Sequence, residues 1–387
     1  IGTYATLPAM SVSSYPLGGT LTPGFAEQTW KGPINKDLKW ETTDQFNAGL
    51  DISLAKGKVN FVIDYYYKRT NDLLQKVSIE TNSGYTQMAV NSGHVTNEGL
   101  EISGTFHPFA RKDFGWQIDA NISFNRNKIG GLAGDQYGSN FINNVSNVFI
   151  QRNGCPIGTI VGFVEDGFYD NIAEVRADPQ YANVSQADAE AMIGEIKYRD
   201  YTGDGAITDA DKRVIGDTNP DFAYGLTNTL RYKNFTLSFF FQGTYGNDIV
   251  NANTIANNTS SSMTGIQNIT REQYNTRWTA ENAANARWPK PIEAGYKREW
   301  KFSDRYIEDG SYLRLKNISL GYTFFPKWKG IKSINVYASA QNLFTITGYS
   351  WYDPDVNAYG NDVTRQGVDL YSYPSSRVYS FGLKLTF

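Results

Sequence analysis

The stretch DYTGDGAITDAD, residues 200–211, gathers hard oxygen donors in one short loop. Laid over a twelve-position calcium loop, it puts Asp200 at position 1, Thr202 at 3, Asp204 at 5, Ala206 at 7 through its carbonyl, Thr208 at 9 and Asp211 at 12. Gly205 falls at the sharp turn of position 6, and Ile207 at position 8, the place of an apolar anchor. Two departures weaken the match: Thr202 stands for Asp or Asn, and Asp211 for the bidentate Glu. The expectation is a structural Ca2+ loop without catalytic work. The competing reading is an Asp/Gly-rich turn closed by side-chain-to-backbone hydrogen bonds.

The remaining inventory offers little catalysis. Two His in all, His94 and His107, fall at opposite strand ends, which argues against a zinc site or a His-based triad. The one cysteine, Cys155, permits no internal disulfide. Asp64, Glu101 and Asp119 share the polar side of alternating segments, and a polar lining accounts for them better than a glycosidase pair. Trp278, Trp288, Trp300, Trp351 and Tyr352 lie in long connections beside Asn and Asp. Such aromatics suit the apolar faces of sugar rings, and equally a protein interface. A net charge of −3 gives no nucleic-acid surface.

The elements that carry these residues are strands. FTLSFFFQ sets Phe235, Leu237, Phe239 and Phe241 on one face against Thr236, Ser238, Phe240 and Gln242. The stretch RVYSFGLKLTF alternates in the same way through Tyr379, Phe381, Leu383, Leu385 and Phe387. Period two means sheets with one apolar and one wet face. Eleven such segments are expected, near 44–55, 58–70, 93–107, 115–127, 147–153, 158–168, 221–232, 234–246, 310–323, 332–345 and 377–387. A change of phase near Lys316 and Asn317 predicts a bulge. Their lengths match tilted membrane-spanning strands of about 9 to 11 residues.

The connections alternate short and long. Short ones fall at Lys56-Gly57, between His107 and Phe114, between Gly154 and Ile157, at Lys233 and between Phe324 and Lys332. Long ones fall at 71–92, 128–146, 169–220, 247–309 and 346–376, after an entry segment at 1–43. In a meander this puts all turns on one side and all loops on the other, the pattern of outer-membrane barrels. A short helix is expected over Arg271 to Trp278, and an irregular polar stretch over NANTIANNTSSSM. The odd strand number leaves two open edges, so strands from outside these residues are expected to close the wall. The opening IGTYATLPAM is no signal peptide, and the start of the protein is expected to be missing.

Several stretches in order resemble the SusC/RagA family of TonB-dependent transporters: NKDLKWETTDQFNAGLDISL, DYYYKRTNDLL, NSGHVTNEGLEI, KYRDYTGDGAITDADKRVIGDTNPDFAYGL, DGSYLRLKNISLGYTF and YASAQNLFTITGYSWYDPDV. The resemblance implies an all-β transmembrane antiparallel barrel, this chain being about the last 11 strands of 22 with the plug absent. It implies an outer-membrane importer of oligomeric nutrients, glycans ahead of peptides, that is not an enzyme. Its partners would be the remainder of the barrel and plug, a SusD-like lipoprotein lid, TonB acting through the plug, membrane lipid and the cargo. Two alternatives stand beside it: a SusC-like barrel serving only as a scaffold, and a soluble glycan-binding β-protein.

Overall fold

The computed structural model describes residues 10–27, 33, 35–83, 85, 87–138, 145, 147–258, 269–290, 301–328 and 330–387. Nine long strands make one sheet: β1 (Thr42–Leu54), β2 (Val59–Asn71), β3 (His94–Ala110), β4 (Phe114–Gly130), β5 (Phe222–Tyr232), β6 (Phe235–Tyr245), β7 (Tyr312–Phe324), β8 (Ser333–Thr347) and β9 (Val378–Thr386). Sheet order follows chain order from β1 to β9, and every neighbour pair is antiparallel.

Register carries the alternation across the sheet. Leu50, Ile63, Ile102, Ile122 and Tyr224 are successive cross-strand partners on the apolar face. One residue along, Asp51, Val62, Ser103, Asn121, Gly225 and Gln242 form a row on the mainly polar face. A one-residue slip would exchange the two faces, so the pattern fixes the pairing. Asn228 interrupts the apolar face, and the Trp116 indole N–H donates to its Oδ1 at 3.1 Å, so both polar groups are met within the wall. The expected bulge is present, with register shifts at Phe240/Phe241 against β7 and at Leu315/Asn317 against β8.

Two of the eleven expected wall strands lie elsewhere. The segments near 147–153 and 158–168 contribute Phe149–Gln151 and Thr159–Gly162 to a separate four-stranded sheet with Gln136–Tyr137 and Arg213–Asp217. They run between β4 and β5, so the expected loops 128–146 and 169–220 are parts of one excursion over 131–221, and the Gly154–Ile157 turn belongs to the loop side. Removing a pair preserves parity. The connections 55–58, 111–113, 233–234 and 325–332 are short and share one side, whereas 72–93, 131–221, 246–311 and 348–377 are long and share the other.

The apolar core sits in those long loops. Val148, Phe149, Ile160, Val250, Ile255, Phe302, Tyr306 and Val368 form its largest buried cluster, contributed by three different loops. A small sheet of Asp248–Asn251, Ile307–Asp309 and Val368–Asp369 knits two of them. α1 (Ile172–Ala177) and α2 (Gln186–Met192) make a second cluster, capped by Asn171 and Ser185. α3 (Ala252–Asn258) forms where an irregular stretch was expected; its Ala252 and Ile255 are buried in the core, whose packing sets the conformation. α4 (Arg271–Thr276) is the expected short helix, capped by Thr270. The entry segment holds a hairpin, Met10–Leu17 with Thr20–Glu27, and Asn35 and Lys39 tie its continuation to Ala89 and Asn91.

Candidate functional site

On the loop side, polar side chains hold the loops to the wall. Arg314, fully buried on β7, donates to Asp353, to Thr345 at 3.0 Å and to Asp355 at 3.4 Å. Asp353 also accepts from the Ser375 amide at 3.0 Å, so the segments carrying Tyr352 and Tyr373 meet there. Below them the Tyr349 hydroxyl donates to Asp369 at 2.7 Å, and burial together with that carboxylate pushes its pKa far above the usual phenol range. Glu308 accepts from Asn251, the Ser350 amide and the Ser350 hydroxyl, joining the 246–311 loop to the 348–377 loop. Arg314 and Asp353 pair with each other, and the buried Asp369 accepts from the Tyr349 hydroxyl and the Ser372 amide, as a low-dielectric site requires.

The predicted metal residues are joined by hydrogen bonds within their own loop. Asp200 accepts from Thr202 Oγ1 and the amides of Gly203 and Gly205 at 3.0, 2.6 and 2.8 Å. Asp211 accepts from the amides of Tyr201, Thr202 and Thr208 and from both threonine hydroxyls. Asp204 turns outward to the Ala206 amide. Burial works to raise the Asp211 pKa, but these donors outweigh it and bring it to about 2. Thr208 and Asp211 also form a capping box over Asp209–Asp211. Among the described residues no three His, Cys, Asp or Glu side chains gather as a metal group. These bonds are those of a turn closed by side-chain-to-backbone hydrogen bonds.

The predicted aromatics divide. Trp278 donates its indole N–H to Asp170 at 2.8 Å, and a Cβ on Gly194 would come within 2.6 Å of its ring. Arg277 and Trp288 form a bridge, and Arg305 lies 5.2 Å over the Trp288 ring. Trp278 therefore clasps the 271–290 segment to the α1–α2 unit, and Trp288 packs under Arg305. Trp300 lies outside the described residues. Trp351 and Tyr352 meet edge to face at 5.3 Å, and Tyr352 is 72% exposed. Tyr371 and Tyr373, the latter 88% exposed, are further exposed aromatics of the same loop. Their signal was a Tyr-Ser-Tyr run in a loop, which periodicity does not weigh. Of the polar-face carboxylates, Asp64 and Glu101 are cross-strand partners, and Asp119 accepts from Thr105 and Gln117.

A family model described as TonB dependent receptor-like, beta-barrel, matches residues 4–210, more than half of the chain. The chain belongs to this TonB-dependent receptor barrel family. The receptor chain is 33% identical over its whole length to TonB-dependent receptor P3 of Formosa agariphila, covering 38% of that protein. It is 29% identical over 99% of its length to TonB-dependent receptor SusC of Bacteroides thetaiotaomicron, covering 36% of it. Its fold matches the structure of the RagAB peptide transporter with a TM-score of 0.75 at 23% identity, over the whole of this chain and 39% of that one. It thus spans well under half the length of these relatives. The receptor barrel is an outer-membrane protein, and its wall is the antiparallel sheet β1–β9. The soluble alternative is overturned: Phe235 is exposed, and Phe239 and Phe241 lie outside the buried clusters.

Proposed function

We propose that this chain is the C-terminal barrel portion of an outer-membrane importer of oligomeric nutrients, with loops that dock a SusD-like lipoprotein lid. Transport would be driven through a plug by TonB. The observation that carries the reading is the inverted distribution of apolar groups. The wall turns exposed Leu50, Phe235, Leu320 and Phe381 outward, and the buried core lies in the loops. Such a wall suits hydrocarbon, and such a core suits a rigid mouth that meets ligand and lid. Tyr352, Tyr371 and Tyr373 supply exposed aromatic area on a scaffold held by Arg314 and Asp353.

A glycan is the first cargo reading, since exposed tyrosines beside carboxylates match stacking faces and hydroxyl edges. Peptide is the second, favoured by the fold's likeness to a protein whose title names a peptide transporter. The experiment is growth and uptake by a strain lacking the full-length gene, given defined oligosaccharides or oligopeptides as the sole source. Loss of uptake of one class, restored by the gene and abolished without TonB, is the expected result. Unchanged uptake of both classes overturns the importer reading. The Asp200–Asp211 loop enters as a structural brace closed by its own hydrogen bonds.

A further inference from the structure

The turn side of the wall has a charge of its own. The four turns at 55–58, 111–113, 233–234 and 325–332 hold eight of the chain's 36 Lys and Arg and one of its 39 Asp and Glu. The whole chain is slightly acidic at −3, so this excess is local. Two neighbouring turns form a groove of about 440 Å³ lined by Phe109, Arg111, Lys112, Trp116, Arg231 and Lys233, with Asp113 as its one carboxylate. The Lys233 amide donates to the Asp113 carbonyl at 2.8 Å, which ties the turns together. Phe109 and Trp116 stack at 6.2 Å, the Arg111 guanidinium lies 6.0 Å from the Phe109 ring, and the Lys233 ammonium lies 5.5 Å from the Tyr232 ring.

Five loop-side arginines are neutralised within the chain. Arg126, Arg152, Arg199, Arg314 and Arg365 each sit against a carboxylate. Among the described residues Arg111, Lys112, Arg231 and Lys233 have no such ion pair, and all four are exposed. Like charges held close together favour an external anion. The groove also adjoins the outward apolar face, where Phe109, Tyr232 and Phe235 are exposed. An occupant with a phosphate and an acyl chain meets both conditions, whereas an acidic protein segment meets only the first.

We propose that the groove between the 111–113 and 233–234 turns binds the headgroup of an anionic phospholipid of the periplasmic leaflet. The phosphate lies among Arg111, Lys112 and Lys233, and the acyl chains run along the aromatic edge of the wall. The site rests on the membrane orientation of the barrel, with its short turns toward the periplasm, and is independent of cargo.

The test uses the full-length receptor in mild detergent, exposed to equal amounts of phosphatidylglycerol and phosphatidylethanolamine, with bound lipid read by native mass spectrometry. Wild type is expected to retain phosphatidylglycerol several-fold over phosphatidylethanolamine. R111Q/K112Q/K233Q should bring the ratio close to one while keeping heat-modifiable migration, and R126Q/R152Q on the loop side should leave it unchanged. Should the triple variant fail to fold, Lys112→Gln and Lys233→Gln singly, both in exposed turns, read the same ratio. Equal retention by wild type, an unchanged ratio in the turn variants, or displacement of the lipid by millimolar inorganic phosphate overturns the proposal. Uptake measurements test the importer reading separately.

Discussion

Asp211 is fully buried, and its two oxygens accept from three amides and two hydroxyls drawn from the loop it closes. Asp211→Asn replaces an acceptor-only group by one that meets amides with its own N–H₂, at a cost of about 1–3 kcal/mol. The expected outcome is faster hydrogen exchange over 201–208 with the wall unaffected. The Asp211 pKa is lowered to about 2 from its ordinary 3.8, so the contribution is fully present above the ordinary value and lost as pH falls through about 2. Exchange protection of this loop should therefore fade between about pH 4 and about pH 2. Calcium or a chelator should leave it unchanged; calcium-dependent protection would restore the metal reading. Arg314→Ala strands the buried Asp353 and should cost about 3–5 kcal/mol, seen as faster proteolysis of 348–377. The twelve-residue loop was legible because its partners are close in sequence. The Arg314 clamp was not, because Asp353 lies 39 positions away.

At the scale of elements, alternation identified all nine wall strands and the bulge in β7. It failed on 147–153 and 158–168, where Phe149, Ile150, Ile160 and Val161 are buried on successive positions. Burial on both faces belongs to a packed core and not to a wall with one wet side, and the apolar run TIVGFV carried that hint. Phe239→Arg, near the middle of β6 on the apolar face, should destabilise the full receptor by about 2–4 kcal/mol. Ser238→Arg, one residue along on the polar face, should change stability little. Urea unfolding in lipid vesicles compares them, and equal losses would contradict the assigned faces. Tyr352→Ala with Tyr373→Ala should weaken lid or cargo association while the thermal midpoint stays fixed. A calorimetric titration of the receptor with the proposed lipoprotein lid reads the effect.

For the whole molecule, β1 pairs only with β2 and β9 only with β8 among the described residues. Both outer strands are exposed, with Phe46 at 60% and Phe381 at 86%. Unpaired strand groups in hydrocarbon cost several kcal/mol each, so this sheet needs partner strands on both edges. The 387-residue chain expressed alone is expected to show no heat-modifiable barrel, and the full-length receptor to show one. A stable barrel from this chain alone in vesicles would refute the open-wall reading.

The sequence by itself determined the nine wall strands, their two faces and the side of the connections between them, though not that 147–168 leaves the wall. Period-two alternation and connection length are local properties, and each survives however the strands are arranged. The tertiary structure alone decided which apolar segments leave the wall, where the buried core lies, and which aromatics stay free. Those outcomes depend on contacts between loops far apart along the chain: Trp278 against Gly194, Arg314 with Asp353, and the Val250 strand beside Val368. No local pattern encodes such pairings, because each residue's burial is set by what the other loops bring to it.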